Sequence, residues 1–281
     1  MKKVLIAGAT GYLGKYLIKE AKKQGYFVRA LARNKSKLDD VKEYCDDVFE
    51  GEVTKPQNLD GICEGIDAVI SSVGITRQKD GLTYMDVDYQ GNKNLLDLAV
   101  QNKVSKFIFT SVLNAQKMGH LKGIEAKLLF EEKLIQSGLD YTIIRPTGFF
   151  SDMLEFLNMA KKGRVSVFGD GSNKINPIHG ADLAEVCVNS LKKSEKEINI
   201  GGPEVFTFND IAELAVKTEN KPIKISRLPM WMIKIILPVM RTLTSSKTYG
   251  PVEFMMTVMT MDVVGEKYGS LILEDFYKEN I

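Results

Sequence analysis

The stretch "LIAGATGYLGKYLIKEA", residues 5–21, constrains this chain more than any other. An apolar run ends at Gly8, and Gly11 and Gly14 follow as a helical apolar pattern begins. One glycine permits the sharp turn, another lets the backbone approach a pyrophosphate, and a third lets helix and strand pack closely. The start of the helix offers N–H groups and a positive dipole end to phosphate oxygens. A glycine turn without a ligand is the competing reading. The motif, set between a strand and a helix, favours a bound dinucleotide.

The flanking sequence points to an α/β fold. The strand-like runs "KVLIAG", "YFVRALA", "DDVFEG", "DAVISSVG", "KFIFTS" and "DYTIIRP" alternate with helical patterns at 12–24, about 35–44, near 57–64, 82–102 and 121–137. Such alternation implies a parallel sheet with helices on both faces, and the nearly continuous apolar runs suit strands buried on both sides. With right-handed crossovers, the result is a doubly wound parallel Rossmann sheet. After Pro146 the alternation loosens. Short strands surround a Gly-rich turn in "VSVFGDGSNKINPIH", "GADLAEVCVNSLKK" is an amphipathic helix, "KEINIGG" is a short strand, and Thr207 caps a further helix. Residues 229–281 read as helical and rich in Met. The expected organisation is a dinucleotide-binding core over 1–150 and a smaller, mainly helical C-terminal substrate lobe over 151–281, some of whose segments complete the core.

A length of 281 residues, 44% apolar and 26% charged, suits a globular enzyme or binding protein. A net charge of +2 gives no reason to expect nucleic acid. Cys45, Cys63 and Cys187 are scattered and odd in number, which argues for a reduced compartment without a disulfide framework. Two histidines, His120 and His179, are too few for a His-based zinc site, so no metal is expected. The basic start, Met1-Lys2-Lys3, is followed by an apolar run that stops at glycines with no cleavage pattern. The greasiest later stretch, 229–243, falls short of a membrane span and is interrupted by Lys234, Pro238 and Arg241. The expectation is a cytoplasmic protein with no transmembrane segment. Nothing in the chain specifies an oligomeric state.

The end of the second strand bears on cofactor choice. NAD-binding sheets place an acid there to accept from the ribose 2′-OH; this chain has Ala32-Arg33-Asn34, with Lys37 nearby. A guanidinium suits a 2′-phosphate, so NADP(H) is expected rather than NAD(H). The alternative for Arg33 is a solvated charge at a helix start.

These residues resemble the short-chain dehydrogenase/reductase superfamily in its extended or atypical branch, over most of the chain. "GATGYLG" is similar to the branch's opening motif, and the resemblance implies that Gly8, Thr10, Gly11, Tyr12, Leu13 and Gly14 hold the dinucleotide. "GEVTKPQNL" resembles a segment in which Glu52 and Val53 lie beside the adenine, with Glu52 where Asp is usual. Ser72, Val73 and Gly74 of "SSVG" stand where a family strand ends over the cofactor. "VDYQGNKNLLDLA" resembles the family's helix with Asn and Gly before a Leu pair. Ser111 occupies the family serine's position, and Lys127 leads a helix toward the Arg-Pro strand end. By resemblance Pro146, Thr147, Gly148 and Phe149 pass close to the nicotinamide, with Phe149 and Phe150 walling off solvent. "RPTGFF", "FGDGSNKINPIHGADLAE" and "INIGGPEVFTFNDIAELA" are similar to segments of divinyl chlorophyllide 8-vinyl reductase-like proteins, beside which stands the NAD(P)-binding nitrogen-repression-regulator-like group.

One departure matters. The superfamily's usual Tyr-x-x-x-Lys has Gly123 in place of its tyrosine. Lys127 is then left to hold ribose hydroxyls, and Ser111 to orient substrate. The proton donor stays open among His120, His179 and water, with His120 favoured as a solvated loop residue and His179 as a structural one. Tyr141 reads as core. The Met-rich tail reads as helix core and lid packing, or as a pocket for a bulky hydrophobic molecule, or more weakly as an interfacial helix touching a membrane. The leading expectation is an NADP(H)-dependent oxidoreductase reducing C=C or C=O in a hydrophobic small molecule. Its rivals are a non-catalytic NADP(H) sensor that binds partners, and a cofactor-retaining isomerase or epimerase.

Overall fold

A computed structural model describes residues 1–75, 81–220 and 222–281. Its elements follow in chain order: β1 (Lys3–Ala7), α1 (Tyr12–Lys23), β2 (Phe27–Ala32), β3 (Asp47–Glu50), β4 (Ala68–Ser71), α2 (Asn92–Gln101), β5 (Lys106–Thr110), α3 (Lys122–Gln136) and β6 (Asp140–Pro146). Then come α4 (Phe150–Lys161), β7 (Arg164–Phe168), β8 (Lys174–Ile175), α5 (Gly180–Asn189), β9 (Glu197–Gly201), β10 (Phe206–Thr207), α6 (Phe208–Glu219), β11 (Lys224–Leu228), α7 (Trp231–Leu243), α8 (Ser246–Val258), β12 (Glu266–Lys267) and α9 (Leu273–Lys278). The chain divides into one unit of Met1–Arg145 with Leu183–Ile198, and a second of Pro146–Asp182 with Asn199–Ile281.

The central sheet has eight strands in the order β12-β9-β6-β5-β4-β1-β2-β3. In the first unit, β1 pairs in parallel with β2 on one side and β4 on the other, and β2–β3, β4–β5 and β5–β6 are parallel as well. The chain therefore winds outward twice from β1, as the alternating pattern led us to expect. The order reverses between β1 and β4, which opens a crevice beyond the carboxyl ends of those strands. The core beneath includes Leu5, Val69, Phe107, Phe109, Phe130 and Ile143, all fully buried. Phe109 and Phe130 meet edge to face at 4.7 Å.

The first turn shows why glycine is required. Gly8 has φ +80°, a left-handed conformation that costs other residues energy. A Cβ on Gly14 would lie 2.1 Å from the Gly8 carbonyl oxygen and 2.8 Å from the Ala9 backbone. The turn and the helix touch backbone to backbone, and only a bare Cα fits.

Beyond the short helix expected near 57–64, which is only a 3₁₀ turn at Pro56–Asn58, three local assignments differ from the sequence pattern. Residues 35–44 form a 3₁₀ helix rather than an α-helix. The single helix expected over 82–102 begins as a π-helix, Met85–Gly91, before continuing as α2. There the side-chain amide of Asn92 donates to the Asp88 carbonyl at 2.8 Å and to Val73 at 3.2 Å, taking up a carbonyl that the widened turn presents. The third difference is α4, to which the sequence reading assigned no element. Phe150, Met153, Phe156, Leu157 and Ala160 form its buried face at helical spacing.

In the second unit, β7 pairs in parallel with β11, β8 pairs antiparallel with β10, and β12 pairs in parallel with Ile200 and Gly201 of β9. Thr207 caps α6 as expected, accepting from the Asp210 N–H at 3.1 Å while its own N–H donates to the Asp210 carboxylate at 2.7 Å. His179 is structural: its Nδ1 accepts from the Ala181 N–H at 3.1 Å, and its ring packs against Phe150 and Phe276 at 5.6 Å each. Among the described residues no helix is long and apolar enough to cross a membrane, and all three cysteines are free thiols.

Two outcomes follow from these contacts. Gly14→Ala should destabilise the protein by about 1–3 kcal/mol through overpacking, lowering the melting temperature by roughly 2–4 °C for each kcal/mol; an unchanged melting curve would show that α1 can shift freely. Burial holds the His179 imidazole below its ordinary 6.5, against the opposing pull of Asp182 and Glu279. Its neutral form belongs to the fold, so the unfolded chain binds the extra proton and stability falls as pH drops below about 6.5. In denaturant titrations His179→Asn, whose amide oxygen can still cap Ala181, should lose less stability than wild type on acidification.

Candidate functional site

The crevice at the switch point is lined by the ends of four strands. Gly8, Thr10 and Gly11 follow β1, Arg33 follows β2 beside Leu31 and Ala32, Gly51–Thr54 follow β3, and Ser72–Gly74 follow β4; Leu82 and Val87 complete the wall. The crevice holds about 170 Å³ and opens to solvent, so it is a shallow groove, smaller than the closed pockets of about 300–1,000 Å³ that bury small molecules. An adjoining cleft shares Arg33, Glu52, Thr54 and Leu82 and adds Lys55, Asp86 and Gln90. Nine of the residues singled out from the sequence thus meet in one place: Gly8, Thr10, Gly11, Arg33, Glu52, Val53, Ser72, Val73 and Gly74.

The others are not among the lining residues. Leu13 and Gly14 are buried beneath the turn, and Tyr12 packs edge to face on Tyr16 at 5.4 Å. Lys37 is exposed on the 3₁₀ helix and is not part of the lining. Pro146, Thr147, Gly148 and Phe149 belong to the second unit. There Thr147 donates to the Asn176 carbonyl at 2.5 Å, and the Phe149 N–H donates to Asp152 at 3.1 Å, opening α4. Phe150 is fully buried core. His120 is exposed.

The lining has the chemistry of a dinucleotide site. Helix α1 begins at Gly11 with no side-chain cap and no acid in its first turn, so nothing competes with an anion there. A Cβ on Gly8 would collide with Ser72 at 2.7–2.9 Å, so the turn can present only bare backbone at the crevice. Arg33 supplies a cation at the end of β2, and Glu52, which lines the same crevice, lies near enough to feel its charge. Glu52 accepts from Lys55 at 2.8 Å and from Thr54 at 2.9 Å. The Lys55 hydrogen bond, with lesser help from Thr54 and the Arg33 charge, holds Glu52 below the usual carboxylate range against partial desolvation.

Lys127 stands beside the same crevice. Its ammonium pairs with Asp88 at 2.9 Å, and the Asp88 side chain is only 2% exposed. A Cβ on Gly74 would lie 2.8 Å from the Asp88 Oδ1 and 2.9 Å from the Lys127 Nζ, so both groups press against that lining residue. The second Asp88 oxygen accepts from the Ile75 N–H at 3.0 Å. Asn92, fully buried, also accepts from Ser71 at 2.5 Å and so ties this corner to the end of β4. The ammonium also lies 5.5 Å from the Phe109 ring centre.

Gly123 has a neighbour that sequence reasoning missed. The ring of Tyr84 lies against it, with two ring carbons 3.2 Å from where a Cβ would stand. Gly123 is one helical turn before Lys127, and Tyr84 is four residues before Asp88. Two pairs, Tyr84 with Gly123 and Asp88 with Lys127, therefore face each other in register. Position 123 carries no phenol, but one stands on it. No local spacing rule links 84 to 123, and the only hint in the sequence is the shared four-residue step.

Ser111 is turned into a buried ionic cluster. Its hydroxyl donates to Glu131, Glu131 accepts from Arg145 at 2.7 Å, and Arg145 also donates to Glu197 at 2.6 Å. The Ser111 N–H donates to Ile144 at 2.7 Å. The serine is not among the crevice-lining residues. Cys63 is no rival nucleophile, since burial pushes its thiol up to about 11.

Comparison with known proteins agrees with this geometry. A family model described as NAD(P)H-binding matches residues 8–194. The photosystem II assembly factor Ycf39 of Cyanophora paradoxa is 30% identical over 236 residues, covering 83% of this chain and 73% of its own length. The chloroplastic divinyl chlorophyllide a 8-vinyl-reductase of Cucumis sativus is 28% identical over 316 residues, covering 98% of this chain and 75% of its own. The NADPH-dependent quinone oxidoreductase QOR2 of Escherichia coli, solved with NADPH, shares the fold at a TM-score of 0.75 over 99% of each chain, with 18% identity.

Asp88→Asn should remove the buried charge opposite Lys127 and cost about 3 kcal/mol, the lower end for breaking a buried pair because Lys127 keeps some solvent contact. Chemical denaturation would measure it, and a loss below about 1 kcal/mol would show that the pair does not hold this corner.

Proposed function

Since the chain belongs to the NAD(P)H-binding family, we propose that it is an NADPH-dependent reductase acting on C=C or C=O in a hydrophobic small molecule. The observation that carries this reading is the Lys127–Asp88 pair, set against Gly74 of the crevice with the Tyr84 ring one turn away. When bound, the reduced nicotinamide supplies the hydride. The chain's own residues do the rest. Gly8, Gly11 and the start of α1 receive the pyrophosphate, and Arg33 receives the 2′-phosphate. Lys127, oriented by Asp88, donates to ribose hydroxyls. Tyr84 holds the proton that a reduction consumes, on the side of α3 that also carries the ammonium.

A second reading has its own support. Ycf39, aligned over 83% of this chain, is an assembly factor, so a role in protein assembly with NADPH as a sensed ligand competes. The Cucumis sativus vinyl-reductase alignment extends over 98% of the chain. We place the protein in a reducing compartment, consistent with its free thiols.

Calorimetry with both nucleotides, followed by NADPH oxidation assays with enones, quinones and aldehydes, separates these readings. Turnover supports the reductase, whereas tight binding with no turnover across the panel supports the assembly role. Arg33→Asp should weaken NADPH by about tenfold or more and NADH far less; equal losses would remove Arg33 from cofactor choice. Tyr84→Phe should lower turnover by about a hundredfold or more while leaving NADPH affinity unchanged. If turnover survives it intact, the proton comes from elsewhere.

A further inference from the structure

Helix α7 stands apart from every other long helix in burying none of its residues. Trp231, Ile235, Val239 and Leu243 recur at four-residue spacing and are 60%, 56%, 49% and 77% exposed. Lys234 and Pro238 share that outward face. Soluble surfaces scatter single apolar residues, and a continuous stripe of this kind marks an interaction site.

The charge around the stripe says what kind of partner it meets. From Asn220 to Val252 the chain contains Lys221, Lys224, Arg227, Lys234, Arg241 and Lys247 and not one Asp or Glu. The whole chain carries only +2, so the rest of it is net negative. The positive charge is concentrated in the stretch of chain that carries α7. Arg241 is committed to Glu253, which is buried on α8, and this pair fastens α7 to its neighbour. Lys224, Arg227 and Lys234 are exposed. A second copy of the chain would bring the same cations against these, which opposes self-association through this face. Pro238 has no N–H to give the Lys234 carbonyl, and a helix of 13 residues is too short to span a bilayer. Such a helix fits the interfacial plane, with its apolar face in the acyl boundary and its cations at the headgroups.

We propose that α7 docks the protein on an anionic lipid surface. This inference is independent of the reductase reading. Trp231 is the chain's only tryptophan, so its fluorescence reports the contact directly. Full-length protein is titrated with phosphatidylcholine vesicles, with and without a large fraction of phosphatidylglycerol. The expected result is a blue-shifted emission, quenched by brominated lipid, with binding at least about tenfold tighter to the anionic vesicles and weakened by salt. Ile235→Glu and Val239→Glu, on the exposed face, should abolish the shift while circular dichroism and nucleotide binding stay as in wild type. No shift with anionic vesicles overturns the proposal, as does equal binding to neutral ones. A shift that instead follows protein concentration without lipid identifies a second copy as the occupant and overturns it too.

Discussion

The contact between the Gly8 carbonyl and the bare Cα of Gly14 is the constraint on which the site depends. It draws the start of α1 against the end of β1 until backbone meets backbone. That closeness brings the start of α1, whose first N–H groups have no side-chain cap, to the crevice lined by Gly8, Thr10 and Gly11. The strand order then reverses between β1 and β4, so the ends of β2, β3 and β4 gather around the same opening. The opening is thus shaped first by backbone geometry, with Arg33 and Glu52 among the side chains that line it.

A second layer is ionic and buried. Asp88 and Lys127 form a pair with little solvent around it, and Asn92 and the Ile75 N–H take up the remaining groups nearby. Buried pairs are weak evidence of net stability, because desolvation opposes the attraction. Their value here is orientation: Lys127 has one well-defined direction, beside Gly74. The Ser111–Glu131–Arg145 cluster performs a comparable task beneath β5 and β6, fixing strand ends with hydrogen bonds rather than presenting a hydroxyl to the crevice.

The absence of a side chain at 123 and the presence of the Tyr84 ring are one fact seen from two sides. A tyrosine at 123 would collide with that ring, so the two arrangements exclude each other. The ring that occupies this place comes from Tyr84, ahead of α2, and not from α3. The same geometry accommodates a reductase and a nucleotide-sensing assembly factor, since both need the crevice and only one needs the proton. Fold likeness to a quinone oxidoreductase at 18% identity speaks to architecture alone.

What the sequence by itself determined is local. The strand–turn–helix around Gly8 and Gly14, the alternation that builds the parallel sheet, the Thr207 cap and the cation at the end of β2 all follow from neighbours within a few positions. There, φ preference, capping and hydrophobic period act directly on the backbone. Even α4 is legible in the spacing of Phe150, Met153, Phe156 and Leu157, although the first of these, with Phe149, also reads as a wall beside the cofactor. Only the tertiary structure decided that Asp88 meets Lys127, that Tyr84 stands on Gly123, that Ser111 turns to Glu131, and that the stripe on α7 faces outward. Those pairings join residues far apart in the chain. Their partners are selected by how whole elements pack, and no spacing rule along one strand or helix carries that information.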